Sequence, residues 1–295
     1  MEEGAIEYYY LNMTVNKILK RFWNEFIYGG HLLSLGASGI IYTIMLIFNL
    51  KASIALLLIM YLMPQIIYSF DHLKGVEKDA KTNPERTKYF QAQKNKNIAL
   101  IIFYIIALLG VLIYLKNWEI ALFVFSINIF GMLYPIFFKN FTKKIPAFKN
   151  IFVAFVWAFT PIILIFLYYN FFSLGLLLLF IFIFLRWIIN TSFFDIKDMG
   201  SDKDIFIKTL PVILGKNKTI NFLHIINILS IAPIVIGIWL NILPSFSLGL
   251  LTFYFYSFYY LEQAKKDRIN ISFLSYILAD GEYILWPIII LLIKY

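Results

Sequence analysis

The sequence predicts an all-α, polytopic membrane protein with nine transmembrane helices around a central cavity. Of its 295 residues, 61% are hydrophobic and only 15% are charged, whereas soluble domains carry about 25% charged residues. From residue 31 to the end, the apolar residues recur as long runs, and a helix needs roughly 20 such residues to cross a bilayer. The basic residues fall between alternate runs, which is the pattern that the positive-inside rule gives a polytopic protein.

Nine apolar runs are the predicted spans, and each ends where charged or turn-forming residues begin. They cover residues 31–49, 52–70, 97–115, 118–138, 150–169, 171–196, 220–241, 243–262 and 272–294. Residues 1–30 form a separate N-terminal segment. Within it, residues 16–26 mix aromatic and basic side chains, which is typical of an interfacial helix. Residues 31–295 then form one transmembrane domain.

Two of the predicted hairpins between spans are very tight. Only Asn170 separates the fifth and sixth runs, and only Ile242 separates the seventh and eighth, where Asn241 and Pro244 flank it. Asn tolerates turn conformations and Pro fixes one, so both places favour a turn. If either turn is absent, two spans merge and the count falls.

The distribution of basic residues predicts the orientation. Twenty-two of the 26 Lys and Arg residues lie in the N-terminal segment and in the loops on the same side of the predicted membrane. The positive-inside rule makes that side cytoplasmic, together with the N-terminus. Because this topology accounts for the net charge of +9, we expect no nucleic-acid partner. No oligomeric state follows from the sequence.

Composition excludes several kinds of site. The chain has no cysteine, which rules out disulfides, thiol nucleophiles and cysteine-based metal sites. Its three histidines, His31, His72 and His224, show no metal-ligand spacing. Any bound metal must therefore be held mainly by oxygen ligands.

Carboxylates cluster where two predicted spans run into cytoplasmic loops. On a helix the second cluster occupies positions i, i+3 and i+7 of one face. Stacked carboxylates at a membrane boundary need a compensating charge, and Mg²⁺ is a hard cation that proteins hold by carboxylates together with phosphate oxygens. Solvated helix ends are the alternative, but the same order of span, acidic face and basic loop occurs twice and favours a Mg²⁺–diphosphate site. The carboxylates are Asp71, Glu77 and Asp79 in the first cluster and Asp195, Asp198 and Asp202 in the second.

This arrangement resembles the UbiA superfamily of intramembrane prenyltransferases. The family's second motif, Asp-x-x-Asp-x-x-x-Asp, is matched in full by residues 195–202. Residues 208–215 resemble the family's loop into the seventh helix. Residues 134–142 resemble its segment after the fourth helix, with Asn140 in place of an Arg. The resemblance covers most of the chain from about residue 30.

The first motif of the family, Asn-x-x-x-Asp-x-x-x-Asp, is matched only in part. When the chain is aligned on Asp79, Asp71 takes the Asn position and Gly75 takes the central Asp position. One expected metal ligand is then missing, and on an ideal helix Glu77 points well away from the other two. This departure indicates a divergent subgroup, and the Ile-, Lys- and Phe-rich, Cys-free composition suits a prokaryotic one.

The resemblance implies a Mg²⁺-dependent polyprenyltransferase of lipid biosynthesis. A polyprenyl diphosphate would lie with its chain in an apolar tunnel and ionise to an allylic cation. A lipophilic acceptor, which could be an aromatic compound, a glycerolipid or an isoprenoid, would capture that cation. The implied metal ligands are Asp71, Asp79, Asp195, Asp198 and Asp202. The implied donor-binding residues are Arg86, Tyr134, Lys139 and Lys208, and ordinary topological charge is the alternative for the three basic ones.

Three charged residues lie well inside predicted spans, away from the ends of the apolar runs. Arg186 is in the sixth span, and Asp280 and Glu282 are near the middle of the last one. Such residues are costly in a bilayer and usually functional, so we predict that all three bind substrate. The two carboxylates could accept a hydrogen bond or a proton from the acceptor. Alternatively, they are a structural pair that is bonded to Arg186, to a tyrosine or to the backbone.

Two other functions compete with the transferase. Intramembrane carboxylates also serve transporters, but here most of them cluster at one face of the membrane. A catalytically weakened relative that only binds prenyl diphosphate is the third possibility, because of Gly75. The complete second motif favours the enzyme.

Overall fold

The structure is a computed structural model, and every regular element in its described part is helical. It describes residues 19–20, 22–79, 81–134 and 139–295, without the side chains of residues 75–79 and 139–140. The helices are α1 (Phe22–Tyr28), α2 (His31–Ile47), α3 (Ile54–Asp79), α4 (Pro84–Ala92), α5 (Lys94–Leu115), α6 (Trp118–Leu133), α7 (Lys139–Lys144), α8 (Phe148–Tyr169), α9 (Leu174–Asp204), α10 (Leu210–Leu214), α11 (Lys216–Leu229), α12 (Ile231–Trp239), α13 (Thr252–Lys265) and α14 (Ile271–Lys294).

Six helical segments in the described part of the chain are long and apolar enough to cross a membrane. They are Ile54–Lys74, Lys94–Leu115, Phe148–Tyr169, Leu174–Asp204, Lys216–Trp239 and Ile271–Lys294. A seventh arises if α1 and α2, which meet at an angle of 55°, are taken as one span. The protein is therefore an integral membrane protein.

The predicted count of nine spans is not confirmed. In the fourth predicted span, residues 118–138, the described part contains α6, a helix of 16 residues, and residues 135–138 lie outside the described part. The eighth, residues 243–262, consists of a 3₁₀ turn over Ser245–Leu251 followed by the 14 residues of α13. Hydropathy detects apolar runs, but it does not show where a run changes from one helix type to another.

Both tight hairpins are confirmed. Asn170 ends α8 with φ of 49°, and Asn241 follows α12 with φ of 56°. These left-handed conformations are ones that Asn adopts more readily than most residues. The Ser173 hydroxyl then caps α9 by accepting from the Leu176 N–H.

Two long helices carry the acidic clusters beyond their apolar runs. The sixth predicted span ends at residue 196, yet α9 continues to Asp204 over 31 residues. The second predicted span ends at residue 70, yet α3 continues to Asp79. Neither polar segment contains a proline, so both helices continue and the acidic residues lie on helical backbone and not in loops.

The first and last long helices pack very closely. A Cβ added to Gly39 of α2 would lie 2.4 Å from the carbonyl oxygen of Tyr283 in α14, and one added to Gly36 would lie 3.1 Å from the Tyr283 Cβ. Glycine is needed here because the two backbones touch. This contact fixes the position of the middle of α14, which carries Asp280 and Glu282.

Candidate active site

A cavity of about 500 Å³ opens among the ends of α3, α4, α8 and α9 and extends along α6 and α14. Its polar wall lies where α3 and α9 leave their apolar runs and α8 begins. Deeper along α8 and α9 the wall becomes aromatic. The polar group comprises Asp71, His72, Arg86, Lys149, Asp195, Lys197 and Asp198, and the aromatic group comprises Phe130, Phe152, Phe155, Trp157, Phe159 and Trp187.

Asp195 is bound by the start of α8. Its Oδ1 accepts a hydrogen bond of 2.5 Å from the Lys149 ammonium, and its Oδ2 accepts one of 2.8 Å from the Asn150 amide. The Asn150 oxygen in turn accepts from the Leu210 N–H at 3.2 Å. Because the Asp195 side chain is only 3% exposed, this ion pair offsets the cost of burying its charge.

Asp198 is bound from its own helix and from the loop before α4. The Asn83 amide donates to its Oδ1 at 2.8 Å, and the Lys197 ammonium donates to its Oδ2 at 2.9 Å. Lys197 also donates to the Asn83 oxygen, which accepts a further bond from the Tyr276 hydroxyl. This network ties α9, α4 and α14 together at the polar wall.

The first acidic cluster contributes Asp71 to the same cavity. Next to it, the ring of His72 lies 3.2 Å from the guanidinium of Arg86. The Arg86 guanidinium also lies over the Tyr276 ring, 5.8 Å from its centre. Arg86 therefore faces the polar wall as a buried, oriented cation.

The structure does not place all predicted site residues on the cavity wall. Tyr134 lines it and stacks on Phe152. Asp202 is fully buried one turn beyond Asp198 and is not among the lining residues. The Lys208 side chain is exposed and does not line the cavity either. The side chains of Asp79 and Lys139 lie outside the described part of the chain.

The backbone of Lys208 has a definite role nevertheless. Its N–H donates to the Thr142 carbonyl at 3.0 Å, and its carbonyl accepts from the Ala147 N–H at 2.8 Å. These bonds join the segments after α6 and after α9, both of which resemble family segments. They bring Lys149 and Asn150 next to Asp195.

Arg186 and Glu282 are bound to each other instead of lining the cavity. The Arg186 Nε and Nη2 atoms donate to the two Glu282 oxygens at 2.8 and 2.6 Å. The guanidinium also donates to Asn227, to Ser257 and to the carbonyl of Phe253. For Arg186 and Glu282, the structure thus shows a structural ion pair and not the predicted contact with the cavity. Asp280, in contrast, lines the cavity.

The carboxylates of the polar wall are suited to a Mg²⁺ ion that binds together with a phosphate group. Asp71, Asp195 and Asp198 line one cavity, and carboxylate oxygens are hard ligands of the kind that Mg²⁺ prefers. Within the described residues, no group of three His, Asp or Glu side chains is arranged to hold a metal by itself. Mg²⁺ usually takes one or two carboxylates and completes its shell with phosphate oxygens and water.

Several residues that shape the wall carried no assignment from the sequence. Asn83, Lys197 and Tyr276 all contact the Asp198 network. Lys197 lies inside the acidic motif and Asn83 directly precedes a helix-starting proline, so sequence features could have assigned these two residues to the site. No such feature marks Tyr276, because its helix is distant in sequence from both acidic clusters.

The fold and site together define an integral membrane protein with a largely apolar cavity. Aspartates that are paired with lysines border the entrance of this cavity. A family model described as the UbiA prenyltransferase family matches residues 32–278, and the chain belongs to that family. No curated protein sequence matches the chain significantly.

Two solved structures share the fold. One is the apo structure of a UbiA homolog from Aeropyrum pernix K1, with a TM-score of 0.66 and 12% identity over 90% of this chain and 96% of that one. The other is a structure of digeranylgeranylglyceryl phosphate synthase, with a TM-score of 0.57 and 16% identity over 93% of this chain and 99% of that one.

Proposed function

We propose that the protein transfers a polyprenyl group from a polyprenyl diphosphate to a lipophilic acceptor in the membrane, with Mg²⁺ as cofactor. The observation that carries the proposal is the pairing of Asp195 with Lys149 and of Asp198 with Lys197 at the entrance of an aromatic cavity. A diphosphate needs both cations and carboxylate-held metal, and an isoprenoid chain needs an apolar space of this kind.

The residues of the polar wall would bind the diphosphate. Arg86, Lys149 and Lys197 can donate to its oxygens, and the acidic side chains of Asp71, Asp195 and Asp198 would hold the metal. Bound Mg²⁺ would neutralise charge that develops on the leaving diphosphate. We propose that this wall faces the cytoplasm, as the basic loops predict.

The aromatic wall would protect the allylic cation. Tyr68, Trp157 and Trp187 of this cavity form a continuous series of stacked rings, with centres 5.9 and 5.7 Å apart, and Tyr283 stacks behind Trp187 at 4.9 Å. Apolar rings exclude water, which would otherwise quench the cation, and their faces attract positive charge. The acceptor is an aromatic compound, a glycerolipid or an isoprenoid.

The test is diphosphate release by the purified protein from geranylgeranyl diphosphate, a donor suggested by the name of the second solved neighbour. A total lipid extract supplies acceptors, and products are identified by mass spectrometry. We expect Mg²⁺-dependent turnover that EDTA stops and that Asp198→Asn lowers at least 100-fold, about the effect of losing one electrostatic contact to a transition state.

Asp204→Asn is the matched control, because Asp204 lies on the same helix but is exposed and pairs with Lys81. It should retain wild-type activity. Donor binding without turnover, whatever the chain length, would contradict the enzyme and support the prenyl-diphosphate-binding alternative.

A further inference from the structure

Asp280 presents a carboxylate oxygen to the cavity that the described residues leave unpaired. Its Oδ1 accepts a hydrogen bond of 3.2 Å from the Asn190 amide, and no described residue donates to its Oδ2. The residue is 7% exposed and lies on the cavity wall. Burying a carboxylate within the membrane costs free energy, and such residues usually have a bonding partner or a function. The single hydrogen bond to Asn190 therefore does not explain Asp280 in structural terms alone.

Glu282, two residues later on the same helix, provides the contrast. Both of its oxygens are satisfied by the Arg186 guanidinium, and Ser257 donates a further bond to Oε2. The cost of burying that carboxylate is thus met within the fold. The two intramembrane carboxylates of α14 consequently differ in role.

The local helix geometry directs Asp280 into the cavity. A π-helical turn occupies Leu274–Ala279, directly before Asp280. Such a turn contains one extra residue, which rotates the following side chains by about 100° relative to a regular α-helix. Tyr276 within the turn and Asp280 after it both line the cavity.

A second unpaired polar atom belongs to another residue of the same wall, Trp187. The Nε1–H of Trp187 is buried and has no hydrogen-bond partner in the described structure. Trp187 lies one turn before Asn190 on α9, and its ring stacks on Tyr283 of α14. There are thus one free acceptor on the wall, at Asp280, and one free donor just behind it, at Trp187, whose buried N–H a ligand reaches only when the ring shifts. A hydroxyl group is complementary to this set, because it donates and accepts at once.

We infer that Asp280 binds the hydroxyl of a lipophilic alcohol and removes its proton during transfer, an inference that rests on the proposed function. The C1–O bond of the donor breaks, and its electron pair leaves with the diphosphate. A lone pair of the alcohol oxygen forms an ether bond to the allylic carbon. The hydroxyl proton passes to Asp280, which becomes a neutral carboxyl and later returns the proton to water. The product is an ether lipid.

The experiment uses the purified protein with geranylgeranyl diphosphate, Mg²⁺ and 1-monooleoylglycerol as the alcohol probe. The dimethyl ether of that lipid, which has no hydroxyl, is the matched control. Diphosphate release and the ether product are both measured. We expect product from the alcohol only. Asp280→Asn should lower kcat about 100-fold or more, which is the usual contribution of a positioned general base, and leave the affinity for the donor unchanged.

Two further variants separate this role from a structural one. Asp280→Glu keeps the carboxylate and should recover part of the rate. Trp187→Phe keeps a stacked ring but removes the N–H, and it should raise KM for the alcohol about fivefold, the effect of one lost hydrogen bond. Thermal unfolding verifies that each variant folds, and these two still test the inference if Asp280→Asn does not fold.

The outcomes distinguish this inference from the proposed function. If Asp280→Asn forms the ether at the wild-type rate, the inference is overturned and the transferase stands. The same holds if the wild type alkylates only the ring carbon of 4-hydroxybenzoate and ignores the alcohol. If the wild type releases no diphosphate with any acceptor, the proposed function fails and the inference fails with it.

Discussion

The Lys149 ammonium lies 2.5 Å from the Oδ1 atom of Asp195. Lys149 is the second residue of α8, and Asp195 lies near the end of α9. This pair joins two neighbouring helices at the point where the apolar cavity meets its charged entrance. The pair balances the buried charge of Asp195 at this wall of the cavity.

Replacing Lys149 by Met should destabilise the protein and weaken diphosphate binding. Asp195 would then stay buried with only the Asn150 amide as a partner, and breaking a buried pair costs about 3–5 kcal/mol. Thermal unfolding in detergent and a donor-binding assay measure the two effects. Lys144→Met is the control, because Lys144 is exposed. An unchanged unfolding temperature for Lys149→Met would refute the role of the pair.

Arg86→Lys should raise the KM for the diphosphate donor about tenfold, since hydrogen bonds to charged groups are worth about 1.5–3 kcal/mol. A lysine keeps the charge but loses the planar fork that Arg86 presents beside His72 and over Tyr276. Steady-state kinetics on the donor measure the change. Lys88→Ala, a change at an exposed position on the same helix, should leave the KM at its wild-type value. If both variants raise the KM equally, general surface charge and not the Arg86 fork binds the diphosphate.

Gly39→Ala should lower the unfolding temperature, because its new methyl group would meet the backbone of Tyr283 at 2.4 Å. Overpacking of this kind costs about 1–3 kcal/mol, and the backbone cannot move aside as a side chain can. Gly110→Ala is the matched control: it also lies in an apolar helix, but nothing is within 4 Å of the added carbon. Equal stability of the two variants would mean that the α2–α14 contact is looser than the structure shows.

Glu282→Leu should destabilise the protein strongly, since it leaves the Arg186 guanidinium buried without its counter-ion. The double variant Arg186→Met with Glu282→Leu should recover much of that loss, as replacing a whole buried pair by apolar residues is often neutral. A double-mutant cycle of unfolding free energies measures the coupling. Additive effects of the two single changes would show that the pair is not a unit.

Much of the helical layout follows from local sequence. The tight turns at Asn170 and Asn241 were predictable because Asn readily adopts left-handed backbone conformations. The helical face that presents Asp195 and Asp198 was predictable from their spacing alone. The number of full spans was not, because the 3₁₀ turn at Ser245–Leu251 interrupts an apolar run that hydropathy treats as continuous.

The candidate site also has a part that the sequence predicts and a part that it does not. The acidic motif and its basic neighbours are visible in the sequence, and with them the expectation of a diphosphate ligand. Which lysine neutralises which aspartate depends on how α8 packs against α9. The pairing of Lys149 with Asp195 joins residues 46 positions apart, and no local periodicity specifies a contact of that kind.

By itself, the sequence determined a helical membrane protein with two acidic helix ends, because hydropathy and side-chain periodicity are local properties of the chain. Only the tertiary structure separated the two carboxylates of the last helix. Glu282 meets Arg186 in the core, whereas the π turn before Asp280 directs it into the cavity. The physical reason is that a buried charge takes its role from its partners, and the packing of distant helices selects those partners.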